Sequence, residues 1–248
     1  MAAVTYVGVS TKMYLGYRDS LAWLKQVRTL LLARRGSRVR SFVAPSFPVL
    51  ESARRLLEDT GAVLGAQDCS WGDGPLTGEV SAGMLAELGV ELVVLGHAER
   101  RRLFGEDDAV VARKLRAAVG AGLTPLLCIG EAEEQGAAAA ADFCQRQVLS
   151  ALAGNEALLG RLILAYEPVW AIGADAPAEP DYINEVVLRL RGLLGHRPVL
   201  YGGSAGPGLL PKLSEVDGLF LGRFAHNPEN FGLVLDEAAG PGRNASHA

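Results

Sequence analysis

Short apolar runs, several of them almost wholly apolar, alternate with longer amphipathic stretches along this chain. The apolar runs fall at residues 4–9, 39–44, 62–66, 92–95, 125–129, 162–166, 199–201 and 219–221. Runs this apolar suit parallel strands that are covered on both faces. Between them, residues 20–35 place Leu21, Leu24, Val27 and Leu31 at helical spacing, with Lys25, Arg28 and Arg35 among them. Residues 107–120, 137–153 and 181–194 follow the same pattern. Asp107 and Asp181 stand where N-caps belong, and Gly122 and Gly195 follow helix ends. Eight strands, each followed by a helical segment, predict an α/β fold: a single closed (β/α)₈ barrel over residues 1–239, with 240–248 as a loose tail. The competing doubly wound open sheet would carry a glycine-rich turn after its first strand. Here that strand runs into Ser10-Thr11-Lys12-Met13.

Composition narrows the picture further. The chain has 248 residues, near the ~250 typical of one such barrel. Its net charge of −4 comes from interspersed charges, which argues against a nucleic-acid partner. No run reaches the ~18 apolar residues of a membrane span, so no membrane partner is expected. The start of the chain lacks the basic and apolar segments of a secretory signal. Cys69, Cys128 and Cys144 form no CxxC pair and cannot all pair with one another, which points to a reducing, cytoplasmic compartment. Asn244-Ala245-Ser246 matches a glycosylation sequon that a cytoplasmic chain leaves unused.

In a barrel of this kind the chemistry sits at the C-terminal ends of the strands. Lys12 follows the first strand, His97 the fourth and Glu167 the sixth. Gly202-Gly203-Ser204 follows the seventh and Gly222-Arg223 the eighth. Alone, a Lys is usually solvated, a His beside Gly is often a structural hydrogen bonder, and a Glu before Pro is often a turn residue. Their joint placement on one rim reverses those readings. Glycine-rich turns after strands seven and eight form the usual phosphate cradle of this architecture. Cys128 reads as a packing residue, and Glu99 and Arg100 either as a salt-bridge network supporting His97 or as direct participants in the chemistry.

These segments resemble the triosephosphate isomerase family. The resemblance is carried by Gly65-Ala66-Gln67, Leu76-Thr77-Gly78-Glu79, Gly96-His97-Ala98-Glu99-Arg100-Arg101, Cys128-Ile129-Gly130-Glu131, residues 165–173 and residues 201–204. It implies an aldose–ketose isomerase with Lys12, His97 and Glu167 as catalytic residues. In that family a Glu base and a neutral His electrophile are the established pair, so these roles come with the resemblance. It also implies a substrate site formed by Ser10, Gly173, Ser204, Gly222 and Arg223. The partner is then a small phosphorylated sugar, with no cofactor and no metal, because the substrate carbonyl activates its own neighbouring C–H bond. Residues 168–173 resemble a mobile lid. The loop from Gly72 to Val80 resembles one that inserts into a neighbouring subunit, which implies a homodimer. The family's reaction interconverts dihydroxyacetone phosphate and glyceraldehyde 3-phosphate and implies a place in glycolysis and gluconeogenesis.

Several positions depart from the family's pattern. Ser10 stands where the family has Asn, Ala98 where it has Ser, and Arg223 where it has Gly. Phe220 replaces a Leu that packs over the Glu. Asp175 replaces a Gly at the lid's tip, and Pro177 should stiffen the hinge. Arg223 can either meet the phosphate or fold outward. The altered reacting end keeps open an isomerase of the same mechanism acting on a four-carbon ketose phosphate such as L-erythrulose 1-phosphate. A non-catalytic sugar-phosphate sensor is the third alternative, and it has no need of a proton abstractor.

Overall fold

The computed structural model describes residues 4–240. Eight parallel strands close in sequence order: β1 (Thr5–Ser10), β2 (Val39–Ala44), β3 (Val63–Ala66), β4 (Leu92–Leu95), β5 (Thr124–Ile129), β6 (Ile163–Tyr166), β7 (Val199–Tyr201) and β8 (Gly218–Leu221). Closure comes from β8 pairing back onto β1, with Gly8 opposite Phe220. The expected (β/α)₈ barrel is therefore the fold. The first three residues and residues 241–248 lie outside the described residues, and with them most of the expected tail and the sequon.

Strand alternation sorts the core into two zones. Phe42, Leu92, Val94, Leu126, Leu200 and Phe220 fill the barrel interior. Phe42 and Phe220 stack there, with ring centroids 5.6 Å apart. The opposite strand faces, including Val7, Val43, Val93 and Leu127, pack against the helices. Those helices are α1 (Tyr17–Ala33), α2 (Leu50–Leu57), α3 (Ala82–Glu87), α4 (Ala98–Phe104), α5 (Asp108–Gly120), α6 (Ala137–Leu152), α7 (Pro180–Leu194) and α8 (Pro228–Ala239). Among the described residues, no helix is long and apolar enough to cross a membrane.

Local chemistry explains the helix ends. Asp107 caps α5, its carboxylate accepting from the Val110 N–H at 2.8 Å. The second expected cap is corrected. Pro180 opens α7, so Glu179 is the N-cap and Asp181 lies in the first turn. Proline suits that first helical position because the N–H it lacks would be unpaired there anyway.

A buried ion cluster ties β3's exit to the segment around α4. Lys114, 1 % exposed, donates to Asp68 at 2.8 and 2.6 Å and pairs with Glu106. The Arg100 Nε lies 2.8 Å from Asp68 and 2.6 Å from Glu106. Burial pushes the Asp68 carboxyl up, only partly offset by Lys114. This cluster braces the helix that begins just after His97.

Candidate active site

The strand ends converge on a cavity of about 630 Å³ at the C-terminal face of the barrel. Ser10, Lys12, His97 and Glu167 line it, and so do Gly173, Ser204, Gly222 and Arg223. These eight come from five different strand exits and reach one space only through barrel closure.

Lys12 leaves β1 in a left-handed conformation, φ 49°. Its carbonyl accepts from Ser46 Oγ at 2.6 Å, Gln67 Nε2 at 2.9 Å and Thr11 Oγ1 at 3.4 Å. Its ammonium donates to Glu99 Oε1 at 2.6 Å. Burial raises the Glu99 carboxyl, but the Lys12 bond and charge outweigh it and hold that group below its ordinary range.

His97 is the N-cap of α4. Its Nδ1 accepts the backbone N–H of Glu99 at 3.1 Å. A neutral ring in that bond carries its proton on Nε2. Nε2 lies 3.6 Å from Glu167 Oε2 and faces the cavity side of the ring. The local fold thus presents a neutral N–H donor next to a carboxylate.

Glu167 is 5 % exposed, and its Oε2 has no hydrogen-bond partner. Burial pushes its carboxyl above the ordinary range, while His97, Lys12 and a bond from the Cys128 thiol pull the other way. Two glycines form its seat. A Cβ on Gly202 would run into the Glu167 carboxylate, and a Cβ on Gly130 would overlap the Glu167 carbonyl. Cys128 is buried as expected, and it also touches the carboxylate.

The loop after β6 is held at both ends. Glu131, fully buried, accepts from Trp170 Nε1 at 2.9 Å, from the Tyr182 hydroxyl at 2.8 Å and from the Tyr166 hydroxyl at 3.1 Å. At the far end, Ser204 Oγ donates to the Ala174 carbonyl at 2.9 Å. Arg223 Nη2 donates to the Gly173 carbonyl at 3.1 Å. Arg223 therefore folds inward onto the loop. Tyr14, Arg102, Asn227 and Asn230 also line the cavity and went unnoticed in the sequence. Only their position after strands one, four and eight could have marked them.

A shielded carboxylate, a neutral N–H donor and a lysine on one rim can take a proton from carbon and stabilise the oxyanion that results. Fold and site define a (β/α)₈-barrel isomerase that moves a sugar's carbonyl between neighbouring carbons. The triosephosphate isomerase model matches residues 5–238. The chain belongs to the triosephosphate isomerase family. It is 48% identical over 246 residues to an L-erythrulose-1-phosphate isomerase of Pectobacterium atrosepticum, covering 94% of this chain and 95% of that one. It is 42% identical to an L-erythrulose-1-phosphate isomerase of Rhizobium etli, covering 94% and 91%. To a triosephosphate isomerase of Aquifex aeolicus it is 38% identical, covering 78% and 83%.

Proposed function

We propose that this protein isomerises L-erythrulose 1-phosphate by proton transfer through an enediolate. The open reacting end carries this reading, with Ser10 and Ala98 beside Lys12 and His97 where the family has the larger Asn and Ser. The 48% and 42% identical relatives bear names that agree with it. They favour the tetrulose phosphate over the triose reaction expected from the family.

The two substrates differ in one place. Each has a phosphorylated first carbon and a carbonyl on the second. The third carbon bears two hydrogens in dihydroxyacetone phosphate, and one hydrogen plus a hydroxymethyl group in the tetrulose. Glu167 takes the proton from that third carbon, and the electron pair moves onto the carbonyl oxygen. The His97 Nε2–H and the Lys12 ammonium stabilise the developing charge. His97 gives its Nε2 proton to the oxygen on the second carbon and takes the hydroxyl proton from the oxygen on the third, and Glu167 returns its proton to the second carbon, which leaves the carbonyl on the third. The extra hydroxymethyl occupies the space beside Ser10 and Ala98. The phosphate lies among Gly173, Ser204, Gly222 and Arg223. No oxidant or metal is required by this balance.

Side-by-side kcat/KM values on the two ketose phosphates test the assignment. The tetrulose should be preferred by about tenfold or more. In the double variant Ser10→Asn/Ala98→Ser that preference should fall roughly tenfold, because a steric clash costs ~1–3 kcal/mol. Activity on the triose should hold or rise. A wild-type protein that prefers the triose, with a ratio unmoved in the double variant, returns the assignment to the triose reaction.

A homodimer accompanies this function. The loop from Gly72 to Val80 protrudes from a neck closed by Ser70 N–H bonding the Val80 carbonyl at 2.8 Å. Met13, next to Lys12, is 91% exposed, and Phe104 is 67% exposed. Sedimentation should give twice the chain mass, and deleting residues 73–78 should give a monomer.

A further inference from the structure

We propose that Arg223 couples the substrate's phosphate to the loop after β6, so that one guanidinium holds both. This rests on the reading of the cavity as a sugar-phosphate site.

The geometry at the strand-eight turn carries the inference. Arg223 stands at a cavity wall and donates one N–H to the Gly173 carbonyl at 3.1 Å. Gly173 itself has φ 73°, and a Cβ there would meet only the Arg223 Nη2. The neighbouring loop carbonyl, on Ala174, is held by Ser204. Gly222 has open space beside its Cα. Arg223 thus stands in one of the turns that would hold a phosphate and bonds a second, at Gly173.

Ion pairing separates Arg223 from Lys12, and the bond to Gly173 separates it from Arg102, which lines the same cavity and also forms no ion pair among the described residues. Lys12 is neutralised by Glu99 at 2.6 Å. Among the described residues Arg223 forms no ion pair, although Asp175 lines the same cavity. A guanidinium has five N–H donors in a planar fork. With one donor on the loop carbonyl, the others remain for phosphate oxygens, where bonds are charge-assisted and can be bidentate. A glycine at this position could offer only its backbone N–H. The coupling also suits a ketose whose reacting end is loosely held. Binding energy gained at the phosphate can be used to hold the reacting carbon in place.

The test uses the full chain and four readouts. These are inorganic phosphate affinity by calorimetry, hydrogen exchange of amides 168–176 with and without saturating phosphate, and kcat/KM on two substrates. The substrates are the ketose phosphate that wild type prefers and its unphosphorylated parent sugar. In Arg223→Ala, phosphate affinity and kcat/KM on the phosphorylated substrate should each fall about tenfold or more. Activity on the unphosphorylated sugar should fall much less, and saturating phosphate should no longer slow exchange in the loop. Arg223→Lys should recover part of the affinity without the loop protection, because an ammonium lacks the fork. Phosphate affinity within twofold of wild type in Arg223→Ala overturns the proposal. So does full loop protection at saturation, or an equal loss on both substrates. A wild type that prefers the triose phosphate would retire the tetrulose assignment alone, since the phosphate end is common to both.

Discussion

Glu167→Gln is expected to lower kcat by at least ~10²–10⁴-fold, the usual contribution of a positioned general base. The same change should raise stability at neutral pH. Both effects come from the burial of one carboxyl. Desolvation raises the Glu167 carboxyl above its ordinary value, with His97 and Lys12 opposing. A general base at Glu167 needs the ionised form, so on the proposed mechanism kcat/KM should fall as the pH drops through that raised value. The acid limb then lies above ~4.3, where an unperturbed Glu titrates. Stability runs the other way. A carboxyl raised in the fold gives its full stabilising contribution below the unfolded value, and that contribution is lost as pH rises through the folded value. At pH 7 the wild type carries the cost of a buried charge whose Oε2 has no partner. Gln removes the charge and nearly keeps the shape. Turnover assays and thermal scans from pH 4 to 8 check the pair of effects. Near wild-type turnover, or a Tm no higher than wild type at pH 7, would count against this account.

The second large effect is structural. Lys114→Met should destabilise the fold by ~3–5 kcal/mol, because it leaves Asp68 and Glu106 buried with Arg100 as their one remaining cation. Asp68 is already raised by burial, and losing Lys114 raises it further. The deficit should therefore shrink as pH falls, since the variant's carboxyls protonate readily in the fold. Denaturant melts of both proteins at pH 7 and pH 5 measure it. A deficit that is equal at both pH values would exclude uncompensated carboxylates as its cause. The variant should also lose activity, because Arg100 sits in the first turn of the helix capped by His97.

Strands were the most legible elements. β2, β4 and β7 begin and end where their apolar runs do; β4 and β7 are buried on both faces and leave a continuous signal, and β2 is buried over its last four residues. Short helices were not legible. α3 has six residues and α4 seven, too few turns to establish a period. α2 and α8 also escaped, although each carries an apolar face. Within the site, Lys12, His97 and Glu167 were visible as reactive residues at strand ends. Their partners were not. The Lys12–Glu99 bond spans 87 residues, and Lys114–Asp68 spans 46. Nothing local marks such pairs, since barrel closure decides which side chains meet. Glu131 likewise read as one acidic residue in a motif, and only the fold shows it gathering three donors.

The seat of Glu167 has a consequence for how this protein can change over generations. Its shape is set by two residues without side chains, Gly130 and Gly202, and either would collide with Glu167 on gaining a single methyl group. Neither donates a group to the chemistry, so an inventory of reactive atoms passes over both. Yet in a library covering every position, these two should tolerate substitution as poorly as the carboxylate does. Ser10 and Ala98 line the same cavity and can vary in size. New substrates are therefore accessible by drift at these two positions, while the seat of the carboxylate is held nearly invariant by steric exclusion.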